Sequence, residues 1–158
     1  MLFVTLTTII FMATNKQITG QTGEIFVTKN CICLKCKKSN SLKRLPTNFK
    51  CADLICDFCG YLAQVKTMNV RNENIIPDSI LGAAWKPQKE RMDSGIYFPL
   101  FIVLINNKNK AVYYLPAELQ SEIMFQPRKK LSLTAKRAGW QGFLYIIKEH
   151  KNRIIRLI

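Results

Sequence analysis

Acidic residues are scarce in this chain. Asp and Glu together number 10 against 24 Lys and Arg, which leaves a net charge of +14. That balance argues against a polycationic partner and favours a polyanionic one, of which nucleic acid is the commonest. An ordinary basic domain is the plainer alternative, but so large an excess in one small domain costs self-repulsion. Histidine is reduced to His150 alone, which argues against His-based triads and His metal sites; it reads as a surface residue. There is no phosphate-cradling glycine loop, no dinucleotide fingerprint, no internal repeat and no low-complexity tract. The apolar segment Met1 to Phe11 lacks a basic flank and is too short to span a bilayer. Residues 1–12 are therefore read as an N-terminal extension, with the native start expected at Met12, and residues 13–158 as a single domain. A 48% hydrophobic content gives a domain of that length enough apolar material for a real core.

What the chain does have is six cysteines, four of them in two Cys-x-x-Cys knuckles: Cys33-Leu34-Lys35-Cys36 and Cys56-Asp57-Phe58-Cys59. Four thiolates from two such turns can close a tetrahedron around one Zn²⁺, and the gap between them lies within the range of structural zinc sites. Paired spacing of this kind points to a reduced, cytoplasmic setting rather than to disulfides. Cys31 and Cys51 remain over and read as buried apolar residues, with Cys31 a competitor for the place of Cys33.

Around the knuckles the chain alternates helix and strand signals. Residues 15–30 predict a helix capped by Thr22, followed by a basic loop over 37–48, through which Pro46 excludes a regular helix. Lys50 to Cys56 and Tyr61 to Met68 predict a hairpin about the second knuckle. On its second strand Ala63 and Val65 share one face, and Leu62, Gln64 and Lys66 the other. Residues 79–92 are expected to be helical after Pro77-Asp78, with Gly82 and Ala83 at a close contact and Pro87 interrupting. Ile96 to Ile105 is a nearly continuous apolar run, as for a central strand covered on both faces. Asn106 to Asn109 turns it into a partner over Ala111 to Leu115. A short helix over Pro116 to Met124 and final strands over Phe143 to Lys148 and Arg153 to Ile158 complete an α/β fold with an embedded zinc knuckle.

The hairpin places Asp53 on one strand beside Gln64 and Lys66 on the next. Phosphodiester hydrolysis needs a divalent cation, a water nucleophile and charge stabilisation at phosphorus. Mg²⁺ takes few carboxylates together with phosphate and water oxygens. Asp53 can supply the carboxylate, Gln64 a neutral carbonyl oxygen, and Lys66 can orient or help deprotonate the water. Taken singly, Asp53 is a strand-end residue capping a backbone amide and Lys66 a solvated lysine; the spacing gains weight from its zinc-pinned setting.

These residues carry a resemblance. Cys33 to Cys36, Ala52-Asp53, Cys56 to Cys59 and Gln64-Val65-Lys66 look like the PD-(D/E)xK nucleases of the Dam-replacing, DpnI-like type, restriction endonucleases with a four-cysteine zinc site inside the catalytic domain. Glu24-Ile25-Phe26-Val27, Gly82-Ala83 and the segment Leu133-Thr134-Ala135-Lys136-Arg137-Ala138-Gly139-Trp140-Gln141-Gly142 extend it over roughly residues 20–157. The resemblance implies a restriction-endonuclease-like mixed β-sheet flanked by helices and Mg²⁺-dependent cleavage of double-stranded DNA at a short sequence. It assigns Asp53 the family's aspartate, Gln64 its acidic position, Lys66 its lysine and Glu24 an accessory place near the metal. It also implies a cognate DNA methyltransferase as partner, with the nuclease a monomer or transient dimer. Two positions depart from the pattern: Ala52 stands in place of Pro, and Gln64 in place of Glu. The winged-helix domain of DpnI-like enzymes finds no counterpart up to Ile158, so methyl dependence is not carried over. A zinc-stapled DNA-binding module without catalysis is the alternative that Gln64 favours.

Arg128, Lys129, Lys130, Lys136 and Arg137 form the densest basic cluster. A solvated face is the usual reason for such a run, but beside Trp140 in a +14 chain phosphate contact is at least as well supported. Trp140, close to Gly139 and Gly142, and Trp85 read as core anchors.

Overall fold

The computed structural model describes residues 14–47, 49–50 and 52–158. The N-terminal extension and Cys51 lie outside them. Helix α1 (Asn15–Asn30) begins at Thr14, whose hydroxyl receives the Gln17 N–H while the Gln17 side chain receives the Thr14 N–H. This reciprocal cap satisfies two donors that a helix start leaves open. Thr22 is not the cap: it sits inside the helix, and its Oγ1 donates to the Ile18 carbonyl at 2.8 Å.

The central sheet has six strands in the order β1 (Leu42–Arg44), β2 (Leu54–Cys56), β3 (Leu62–Asn69), β5 (Leu100–Asn106), β6 (Asn109–Leu115) and β9 (Ile155–Arg156). Only the β3–β5 pair is parallel. A second, antiparallel sheet is ordered β4 (Ser79–Ala84), β8 (Gly142–Ile146) and β7 (Phe125–Pro127). The chain is thus a mixed α/β fold in which two sheets are flanked by helices, as its element pattern anticipates.

The apolar run of β5 is explained by cover on both sides. Phe101 and Val103 pack with Val27 of α1, Ala63, Val65 and Val112. Leu100, Ile102 and Leu104 pack with Ile80, Phe143 and Tyr145 of the second sheet. With period 2 along a strand, both sets of side chains must be apolar.

Residues 79–84 form strand β4, not the first turns of a helix; helix α2 (Trp85–Asp93) starts six residues later than expected. Pro87 then falls in the first turn of α2, where its missing N–H has no intrahelical acceptor to lose. Gly82 does make the expected close contact, but on a strand: a Cβ there would lie 2.4 Å from the Phe143 ring. The expected helix over Pro116 to Met124 is two single 3-10 turns, Ala117–Leu119 and Glu122–Met124.

Placing a methyl group at Gly82 forces the Phe143 ring to shift in a packed core. Gly82→Ala is expected to lower the unfolding free energy by about 1–3 kcal/mol, measured by urea denaturation of the zinc-loaded protein.

Candidate metal centre and polar fork

The two knuckles share one backbone design. The Cys33 N–H donates to the Lys38 carbonyl and the Lys37 N–H to the Cys33 carbonyl; likewise the Cys56 N–H donates to Tyr61 and the Gly60 N–H to Cys56, at 2.8–3.1 Å. Each turn closes through a left-handed residue, Lys37 at φ 61° and Gly60 at φ 72°. The four sulfur atoms of Cys33, Cys36, Cys56 and Cys59 all lie within 4.8 Å of one another. The cross-knuckle pairs Cys33–Cys59 and Cys36–Cys56 are both 3.7 Å apart. A tetrahedral site with Zn–S bonds of about 2.3 Å has S···S edges of about 3.8 Å, so the sulfur cage has the size and the donor set for zinc. Burial pushes the Cys56 thiol up, but the Ser41 hydroxyl and the N–H groups of Cys59 and Phe58 outweigh it and bring it down to about 6. Cys31 stands outside the cage, packed on Val27, and burial alone lifts its thiol to about 11. It is the buried apolar residue of the first reading and does not compete with Cys33.

The clamped hairpin leads directly into a fork. Pairing of β2 with β3 ends at Leu54 opposite Ala63, and from Gln64 onward β3 pairs with β5. Asp53 occupies the split. Its N–H donates to the Ala63 carbonyl at 2.9 Å and its carbonyl receives the Leu45 N–H at 2.9 Å. Its Oδ2 receives the Val65 N–H at 2.7 Å. A side chain thereby carries the ladder one step past the end of β2. Val65 lies between Gln64 and Lys66, which point to the opposite face of β3 from the buried Ala63 and Val65.

Other elements close around the fork. From α1, Glu24 and Gln21 line a small cavity of about 50 Å³ together with Asp53, and Glu24 is paired with Arg44 at 2.9 Å. From β8, the Tyr145 hydroxyl donates to Gln64 Oε1 at 2.8 Å. Burial holds the Tyr145 hydroxyl well above its usual range, with Arg91 opposing and Asp53 reinforcing the shift. From α2, the Arg91 Nη1 donates to the Lys50 carbonyl at 2.7 Å and its Nη2 to Gln88 Oε1 at 2.9 Å.

Sequence reasoning missed Tyr145, Gln88 and Arg91. Gln88 carried a signal. It lies between Trp85 and Met92 at helical spacing on the buried stripe of α2, and a polar residue on such a stripe has a partner to find.

The five cations of the basic cluster, Arg128, Lys129, Lys130, Lys136 and Arg137, are exposed on the β7–β8 connection. Arg137 stacks over the Trp140 ring at 4.3 Å from its centroid. Trp140 does pack closely on backbone, since a Cβ at Gly142 would lie 2.8 Å from its ring, but it is half-buried and belongs to neither core cluster. Trp140 and Lys130 also face Trp85, Lys86 and Lys89 across a cleft of about 520 Å³. Helix α2 therefore borders this basic cleft while sending Gln88 and Arg91 toward the fork. His150 is half-buried rather than a surface residue.

The family model for DpnI, the Dam-replacing family, matches residues 3–151 of the 158. The chain belongs to the Dam-replacing family. A search of curated proteins finds no match. Membership of the Dam-replacing family implies a restriction-like nuclease acting on DNA, in keeping with the charge of +14. Among the described residues, no helix is long and apolar enough to cross a membrane.

The purified protein is expected to carry a single equivalent of zinc. Cobalt substitution should give the absorption bands of a tetrahedral thiolate site. Cys56→Ala should abolish both, with loss of the folded hairpin, whereas Cys31→Ala should keep the metal content unchanged by elemental analysis.

Proposed function

We propose that this member of the Dam-replacing family is a Mg²⁺-dependent endonuclease of the PD-(D/E)xK, type II restriction-like kind. In this reading it hydrolyses phosphodiester bonds of double-stranded DNA at a short sequence. The observation that carries the reading is the Asp53–Val65 hydrogen bond of 2.7 Å, which ties the one carboxylate of the fork to the backbone between Gln64 and Lys66. The oxygen donors around it suit a hard cation: a carboxylate at Asp53, a second at Glu24 on the same small cavity, and the amide oxygen of Gln64. Mg²⁺ at this place would supply Lewis acidity at the scissile phosphate and a more acidic bound water.

The chain's own groups do the rest. Asp53, fixed through Oδ2, presents Oδ1 as the anionic ligand. Tyr145, donating to Gln64 Oε1, orients that amide within the site. Lys66, on the same face of β3 as Gln64, holds the attacking water and steadies negative charge as it grows on the phosphoryl oxygens. The water oxygen bonds to phosphorus, the bond to the bridging ester oxygen breaks, and that oxygen leaves with a proton. Arg128, Lys129, Lys130, Lys136 and Arg137 bind the phosphate backbone and hold the duplex in register. A cytoplasmic enzyme of this kind works beside a DNA methyltransferase that protects the host, and cuts as a monomer or in a transient dimer.

A second reading, a zinc-stapled DNA-binding module without catalysis, is favoured by one observation: the fork carries an amide at Gln64 where a carboxylate would hold the cation more tightly.

Nicking of supercoiled plasmid with Mg²⁺ is expected for the wild type. Asp53→Ala and Lys66→Ala should each lower its rate by about 100-fold or more, and cleavage that survives both changes removes these residues from the mechanism. Gln64→Glu should raise cleavage at limiting Mg²⁺, because Tyr145 can donate to a carboxylate oxygen as it does to the amide. A Gln64→Glu protein that binds duplex and never cuts favours the binding module.

A further inference from the structure

Arg91 lies outside the motif residues, yet it joins helix α2 to Lys50, just ahead of the fork. Its Nη2 donates to Gln88 one turn earlier on α2, and Gln88 is only 3% exposed. Its Nη1 reaches 41 positions back to the Lys50 carbonyl, three residues before Asp53. Only Ser41 and Gln88 are buried polar residues among those described, and an amide is kept in an apolar setting at a cost unless its hydrogen bonds are made. The amide of Gln88 thus fixes one arm of the guanidinium while the other holds the Lys50 carbonyl. The planar, rigid donor fork of arginine suits such a two-way link, and the single ammonium of lysine does not.

We propose that Arg91 is a positioning residue: it clamps Lys50, three positions before Asp53, to helix α2 and so sets the place of the Asp53 carboxylate, with Gln88 as the fixed end of the clamp. The role of the carboxylate itself rests on the reading under Proposed function, but the clamp does not. It also ties the fork to the helix that borders the basic cleft of Lys86, Lys89 and Lys130, giving that cleft a mechanical route to the fork.

A purely electrostatic role for Arg91 makes the opposite forecast. Arg91 and Asp53 both act on the Tyr145 hydroxyl, so the two charges share one neighbourhood. Removing a cation near a cation site strengthens binding of a divalent ion if charge alone matters. Removing a clamp weakens it, because the ligand loses its preset position.

The test uses zinc-loaded full-length protein and two exchange variants, Arg91→Lys and Gln88→Leu, with Arg91→Ala added for Mn²⁺ binding. Amide hydrogen exchange is measured first, without DNA and without added divalent cation. Exchange at Leu45 and Asp53, whose N–H groups bond to the Asp53 and Ala63 carbonyls, should quicken about tenfold in Arg91→Lys and less in Gln88→Leu. Exchange along β5 should not change. Mn²⁺ affinity, read by electron paramagnetic resonance, should fall several-fold in Arg91→Lys. Unchanged exchange at Leu45 and Asp53 in both variants overturns the clamp, as does equal loosening of β5. In an Arg91→Ala variant, tighter Mn²⁺ binding also overturns it, in favour of the electrostatic role. Loosened exchange with plasmid cleavage left at the wild-type rate upholds the clamp and counts against Asp53 as the catalytic carboxylate.

Discussion

Convergence of four cysteine sulfurs at the turn of one hairpin is the constraint on which the rest of this structure depends. Strands β1 and β2 are three residues each, too short to hold a register by pairing alone. A bound zinc supplies about 10–16 kcal/mol of apparent folding energy in small modules, far more than these short ladders. The cage locks Cys56 and Cys59 to Cys33 and Cys36 just after α1, and so fixes where β2 begins and where β3 leaves it for β5. Asp53 sits at that parting.

The fork turns a local register into a chemical arrangement. One carboxylate oxygen of Asp53 takes a backbone N–H that β2 no longer serves, and the other is the one proposed to meet the cation. The same geometry accounts for the plainer reading of Asp53 as a residue capping a backbone amide. The two descriptions are compatible, since the amide fixes the carboxylate and the fixed carboxylate is what a cation site needs. Side chains from α1, β3, β8 and α2 meet around it, and each comes from an element packed on one of the two apolar clusters flanking the central sheet. Position in this site is therefore a consequence of core packing.

Much of this was legible in the sequence where the signal is local. The knuckles declare themselves by spacing, the doubly covered strand β5 by its unbroken apolar run, and the faces of β3 by alternation. The signal failed at Ser79 to Ala84, where small residues and a following helix imitate a helix start. The segment is a strand because Gly82 lets the Phe143 ring press against its backbone. Tyr145 and Arg91 were invisible for another reason: they lie 25 or more positions beyond Lys66 in the chain and reach the fork only through tertiary packing; Gln88 signals a need for a partner but not which one. Thr22 imitates a cap because it stands just before Glu24, Ile25 and Val27, whereas the true cap, Thr14, lies eight positions earlier beside residues with no apolar pattern.

Anomalous X-ray scattering from crystals grown with Mn²⁺ tests the central claim most directly, because it locates each ion without reference to activity. The account predicts a zinc signal at the centre of Cys33, Cys36, Cys56 and Cys59, and a separate manganese signal bound by Asp53 with the Gln64 amide oxygen and Lys66 beside it. Manganese bound elsewhere, with Asp53 engaged only by the Val65 amide, would contradict it.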